Sequence, residues 1–206
     1  KTNSDKIITR QDVQKLLDNV KKDNEAVIKE LVPGILSLGQ VEQVLKSLLH
    51  ENVPIRDMIT ILETLADYAV STRDVEILTE YVRYALARTI SKKFIASDGI
   101  VHGITLAPPL EQLITNIVNQ IRQKNYSAAL PSDTIRALHN DLQSAIKEMN
   151  KKSLQPVVIV SPTIRSYLKN LIEPSIPSLP VIPYNEIPTD IQINSIITVD
   201  ANTSKK

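Results

Sequence analysis

Histidine is the first residue type to inspect for chemistry, because imidazole serves both as metal ligand and as proton carrier near neutral pH. His50, His102 and His139 are far apart in the sequence, with no His-x-x-x-His spacing and no neighbouring carboxylate cluster, so no metal site is expected. Cysteine is absent, which removes thiolate ligands, disulfides and a sulfur nucleophile together and fits a reducing compartment. Only four glycines are available, and none builds a dinucleotide fingerprint, a Walker loop or a nucleophile elbow. Ser161-Pro162-Thr163 follows an apolar run and opens a helix, which is where α/β sheets hold small anions. A glycine-free turn keeps the backbone from approaching a phosphate, so simple capping is the expectation there.

The carboxylate pairs Glu63–Asp67 and Glu76–Glu80 are one helical turn apart, a spacing that could share a proton or hold a cation. Arg56, Arg73, Arg83 and Arg88 are close in sequence, and this favours ion pairing within or between subunits over catalysis. Tyr68, Tyr81 and Tyr84 gather on the same two helices, either as core or as anchors for a partner. No catalytic, cofactor-binding or metal-binding residue is assigned.

The elements that must position these residues change character along the chain. Up to Lys93, apolar residues recur three and four apart, the period of amphipathic helices. Thr9 and Ser37 read as N-caps, a short helix from Glu25 stops at Pro33-Gly34, and another helix carries Met58, Ile61, Leu62, Leu65 and Ala69 inward. The longest helix is expected from Thr72 or Asp74 to Lys93. After the turn signal Ser97-Asp98-Gly99 come β-branched runs, with helices introduced by Pro108-Pro109 and Pro131-Ser132-Asp133. Val157 to Val160 reads as a buried strand, Ser161-Pro162 as the start of a helix to Ile172, and Leu179 to Ile182 as a parallel edge strand beside Pro180 and Pro183. A last strand, Ile191 to Val199, alternates Ile191, Ile193, Ile197 and Val199 on one face.

The expected class is therefore α+β: an all-helical subdomain followed by a smaller α/β subdomain with a short, mainly parallel sheet. Residues 1–23 are read as a helix ending a preceding subdomain, 24–98 as the helical subdomain, 99–200 as the α/β subdomain and 201–206 as a flexible tail. The abrupt opening reads as a segment of a longer protein.

Charge excludes one partner class. Lys and Arg number 24 against 23 Asp and Glu, a net charge of +1, and aromatics are only 3% of the chain, so neither a phosphate-binding face nor a base-stacking platform is expected. No apolar stretch approaches the roughly 20 residues of a membrane-spanning helix, and Lys1 to Lys6 lacks the layout of a signal peptide.

Five segments carry a resemblance. Thr9 to Asp18, Leu31-Val32-Pro33-Gly34-Ile35-Leu36-Ser37-Leu38-Gly39, Val44 to Leu49, Ile55-Arg56-Asp57-Met58-Ile59-Thr60-Ile61-Leu62-Glu63-Thr64-Leu65-Ala66-Asp67 and Leu78 to Arg88 are similar to the FlhA family of type III export-gate proteins. The match is weaker beyond Arg88, where it rests on the order of elements and on Pro156 to Ser161. Thr60 to Asp67 resembles the flagellar branch more closely than its injectisome homologues in virulence secretion. The resemblance implies a non-enzymatic docking and gating module, the cytoplasmic domain of a bacterial inner-membrane protein. It also implies a homo-oligomeric ring, nonameric in the family, that binds export chaperones, their substrates and other export components. No cofactor, nucleic acid or membrane contact is implied for this segment. Ring contacts in the family fall largely on the helical subdomain, which makes Arg56, Asp57, Glu63, Arg83 and Arg88 the candidate interface residues. The family's chaperone-docking surface lies mostly in subdomains preceding this segment, so none of its residues is transferred. Two rival classes are a small α/β nucleotide-binding enzyme built on the Ser161 helix start and a nucleic-acid-binding helical domain.

Overall fold

A computed structural model of the chain describes residues 8–124 and 126–201. It divides into two compact units, Lys1–Ile90 and Ser91–Lys206, the first helical and the second α/β. The α+β class is the one adopted, but the α/β unit, expected to be the smaller, is the longer of the two.

Helix starts in the first unit follow from side chains that satisfy free backbone N–H groups. Helix α1 (Arg10–Lys21) opens at Thr9, whose hydroxyl accepts from the Asp12 N–H while the Asp12 carboxylate accepts from the Thr9 N–H. The Thr9 hydroxyl also donates to the Asp12 carboxylate at 2.6 Å, and that bond, and then the Thr9 N–H, hold the Asp12 carboxyl below its ordinary pKa. Ser37 and Gln40 form the same reciprocal box at α3 (Leu38–His50). Helix α2 (Glu25–Glu30) runs into a π-turn, Leu31–Ile35, that is broken at Val32, and the Val32–Pro33 peptide is cis. Asp57 caps α4 (Met58–Ala69), and Asp74 caps α5 (Val75–Ala85).

The single long helix expected up to Lys93 is two. At Leu86 the backbone leaves helical geometry (φ −91°, ψ 14°), and its N–H is shared between the carbonyls of Val82 and Arg83; α6 (Ala87–Ser91) follows. The break keeps both Leu86 and Ile90 buried. Helices α1 and α5 pack on α3, and α4 packs on α5. Val13, Leu17, Val41, Val44, Leu45, Leu48, Ile61, Leu62, Leu65, Leu78 and Val82 are sealed in that core, as three-and-four spacing requires.

The second unit is a four-stranded parallel sheet in the order β3-β2-β1-β4. Its strands are β1 (Val101–Leu106), β2 (Val158–Val160), β3 (Val181–Pro183) and β4 (Ile193–Val199). Gly99, at φ +80°, makes the turn into β1, a conformation that suits a residue without Cβ. Helices α7 (Pro108–Arg122) and α8 (Ser132–Lys151) connect β1 to β2, and α9 (Arg165–Ile172) connects β2 to β3. Val158, Ile159 and Val160 are wholly buried, as a continuous apolar run in a parallel sheet should be. Short β3 sits at one edge, where Pro180 and Pro183 cost no ladder bond on the open side.

Three local expectations need correction here. Helix α9 begins at Arg165, so Ser161-Pro162-Thr163 forms a turn ahead of it and not its first turn. In β4, Ser195 pairs with Gly103 but Ile197 pairs with Ile104, leaving Ile196 as an extra residue. This bulge inverts the alternation, so Ile193 lies on the opposite face from Ile197 and Val199. Ala201, expected to begin a frayed tail, is buried, and its N–H donates to an Asp141 carboxylate oxygen at 3.1 Å. The rest of that tail, and Lys1 to Lys6, lie outside the described residues.

Candidate partner-binding surface

Four of the five interface candidates stand on the surface of the helical unit: Arg56, Asp57, Glu63 and Arg88 are exposed. Asp57 also holds the start of α4 in place, its carboxylate accepting from the Thr60 N–H at 3.2 Å and from the Thr60 hydroxyl at 2.8 Å. Arg83 is the exception. Its side chain is 2% exposed and meets the Glu51 carboxylate at 3.3 Å, so it joins α5 to the end of α3 from inside the unit. A side chain that inaccessible does not serve as a surface contact.

The same unit also carries an apolar stripe. Helix α5 turns Leu78 and Val82 inward, while Ile77, Tyr81 and Tyr84, four and three residues apart, are 45%, 36% and 55% exposed on the other side. From α4, Tyr68 stacks on Tyr81 with ring centroids 3.9 Å apart and planes inclined by 12°. The three tyrosines are thus half-exposed, Tyr68 stacked on Tyr81, with apolar bodies and polar tips, and not core. Val70 extends the exposed apolar surface past the end of α4. There Gly34, Ile35, Ala69, Val70, Ser71, Thr72 and Arg73 line a shallow pocket of about 360 Å³. Rigid aromatic anchors on a unit that also exposes scattered charges suit recognition of another protein surface.

Several polar groups of the α/β unit are engaged with one another. The Ser161 N–H, the donor an anion would meet after β2, donates to Glu111 Oε1 at 2.8 Å. Burial, with the nearby Glu111 charge, pushes the Tyr184 phenol up. An arrangement the sequence reading missed joins Asp98 to His102 Nε2 at 2.8 Å, with Asn194 reaching His102 Nδ1 at 3.3 Å. The bond from His102, and then the Ile100 N–H, hold the Asp98 carboxyl below its ordinary value. The i,i+4 spacing was visible, but it falls across a turn into a strand, where it carries no helical meaning. Among the described residues no three His, Cys, Asp or Glu side chains gather to hold a metal ion.

Comparison with known proteins gives this surface its context. The family model described as "FHIPEP family" matches residues 1–192. Flagellar biosynthesis protein FlhA of Bacillus subtilis (strain 168) is 34% identical over 200 residues, covering 97% of this chain but only 29% of that protein. The nonameric EscV cytosolic domain from a type III secretion system superposes with a TM-score of 0.80 at 29% identity, over 96% of this chain and 57% of that one. The complex of CdsV and CdsO from Chlamydia pneumoniae gives a TM-score of 0.80 at 27% identity, over 95% and 57%. The chain therefore spans less than a third of the curated relative and somewhat over half of the solved domains. With its family model matched over nearly its whole length, the chain belongs to the FHIPEP family.

Proposed function

We propose that this chain is part of the cytoplasmic docking and gating domain of a type III protein export gate, anchored to the membrane through parts of the protein outside this segment. It works by binding, without catalysis, and its helical unit contributes to a homo-oligomeric ring. The observation that carries this reading is the exposed Ile77–Tyr81–Tyr84 stripe with its stacked Tyr68, an apolar surface on a unit that already has a complete core. Arg56, Asp57, Glu63 and Arg88, exposed on the same unit, supply charges that fix register between copies. Nonameric assembly of the EscV domain and the CdsO partner of CdsV support a ring that other export components dock against. The 34% identity to a flagellar relative favours the flagellar apparatus, with an injectisome role as the second reading. Export chaperones and their substrates are the proposed further partners. Glu111 already occupies the Ser161 N–H, which weighs against the nucleotide-binding alternative.

Electron microscopy of the complete purified protein tests the ring. Wild type should form closed rings, and the Tyr81→Asp/Tyr84→Asp variant, folded by circular dichroism, should not. Rings that persist in the variant would place the interface elsewhere.

A further inference from the structure

Asp98-Gly99 is the sequence's single Asp-Gly pair, and no Asn-Gly accompanies it. A glycine nitrogen is shielded by no side chain of its own, so it can attack the carboxyl carbon of the aspartate before it. The new C–N bond closes a five-membered imide, and the carboxyl hydroxyl and the amide proton leave as water. Water then opens the ring at either carbonyl. One opening restores aspartate, and the other routes the main chain through Cβ as isoaspartate. The acid form is the reactive one, because a carboxylate oxygen cannot leave without a proton.

The turn into β1 is open to this chemistry and also restrains it. Ser97, Asp98 and Gly99 are exposed, and a Cβ built on Gly99 would meet nothing within 4 Å, so water reaches both reacting groups. Against the reaction, the Gly99 N–H donates to the Ala96 carbonyl at 3.0 Å, which engages the attacking nitrogen. The Asp98 carboxylate is engaged at both oxygens, Oδ1 accepting from the Ile100 N–H at 3.0 Å and Oδ2 meeting His102 Nε2 at 2.8 Å. The Asn194 amide nitrogen lies 3.3 Å from His102 Nδ1 and donates to it, which leaves the hydrogen of the neutral ring on Nε2, facing the carboxylate. The His102 side chain is only 11% exposed, so its aim is fixed by the strand that carries it. Bonds of this kind favour the ionised carboxyl, in keeping with the lowered pKa of Asp98.

We propose that Asp98-Gly99 is a site of spontaneous isoaspartate formation that His102 holds closed, with Asn194 positioning the imidazole. The modification needs only water. It would add a main-chain carbon just ahead of β1 and take the side-chain carboxylate away from His102 and the Ile100 N–H. The site belongs to the turn and the strands beside it and is independent of the proposed export role.

The test ages the whole chain at neutral pH. Isoaspartate is counted by enzymatic methylation of isoaspartyl carboxyl groups and located by peptide mapping, since an Asp-specific protease no longer cuts there. A synthetic peptide of residues 94–104 gives the unrestrained rate. Wild type should accumulate isoaspartate at Asp98 several-fold more slowly than the peptide. His102→Val, which removes the donor and keeps a strand-favouring side chain, should accumulate it several-fold faster than wild type. Asn194→Ala, which removes the group that orients His102, should lie between the two. Thr105→Val deletes a β1 hydroxyl bonded to Ser195, away from the turn, and should age as wild type. Wild type ageing as fast as the peptide would overturn the proposal, as would His102→Val or Asn194→Ala at the wild-type rate. Equal acceleration in His102→Val and Thr105→Val would also overturn it, because the cause would then be a loosened strand and not the loss of one bond.

Discussion

Replacing Arg83 should damage the helical unit itself, whatever the unit binds. The side chain is 2% exposed and faces a Glu51 carboxylate that is itself only 13% exposed. Arg83→Met withdraws the guanidinium from a carboxylate in a poorly hydrated place, a change that costs about 3 kcal/mol when a buried pair is broken on one side. For a unit of this size such a loss lowers Tm by more than about 10 °C. Arg83→Glu sets a second carboxylate against the first and should be worse. The double variant Arg83→Met/Glu51→Met should recover most of the loss, since an apolar pair of similar volume is often as stable as the ion pair. Hydrogen exchange resolved to α3 and α5 reads this unit separately from the α/β unit, with urea midpoints as the energy scale. An Arg83→Met protein within about 0.5 kcal/mol of wild type would refute a structural role for the pair.

Three further outcomes follow from local geometry. At Gly103 an added Cβ would stand 2.7 Å from Ile159 Cγ1 and 3.4 Å from the Val157 carbonyl, so Gly103→Ala should destabilise the α/β unit by about 1–3 kcal/mol in urea. Pairing it with Ile159→Ala should relieve that particular clash, and a double variant whose costs simply add would contradict the packing account. Ser37→Ala should cost about 1 kcal/mol and shorten amide protection in the first turn of α3, with no effect on the α/β unit. The Asp98 carboxyl sits below its ordinary value of 3.8, so its contribution is present above that pH and is lost as pH falls through the folded value. Urea midpoints of the α/β unit should therefore fall on acidification below about pH 4, and less steeply in Asp98→Asn.

Helix starts were the most legible features, because a cap is a local contract between neighbours: Thr9 with Asp12, and Ser37 with Gln40. The parallel strands were legible for a similar reason, since a run such as Val157 to Val160 can be wholly apolar only if both faces are covered. The Ile196 bulge was not, because strict alternation runs on through one inserted residue as if nothing had happened. Arg83 was misjudged by residue type. It adjoins Val82 and lies four residues after Thr79, both buried, so position alone placed it at the margin of the inward face. For Tyr81 and Tyr84, helical spacing is the same for a core stripe and for a surface stripe. Only the packing of Leu78 and Val82 on the other side separates them.

The export-gate account is tested most directly in the bacterium that makes this protein. Secreted proteins and motility would be measured in a strain carrying the Tyr81→Asp/Tyr84→Asp substitution in the full-length gene, beside a gene deletion and the wild type. The account predicts that the deletion abolishes type III export and that the substituted protein, present at wild-type level, supports little of it. Undiminished export from the substituted strain would contradict the role given to the helical surface, and undiminished export from the deletion would contradict the export-gate assignment itself.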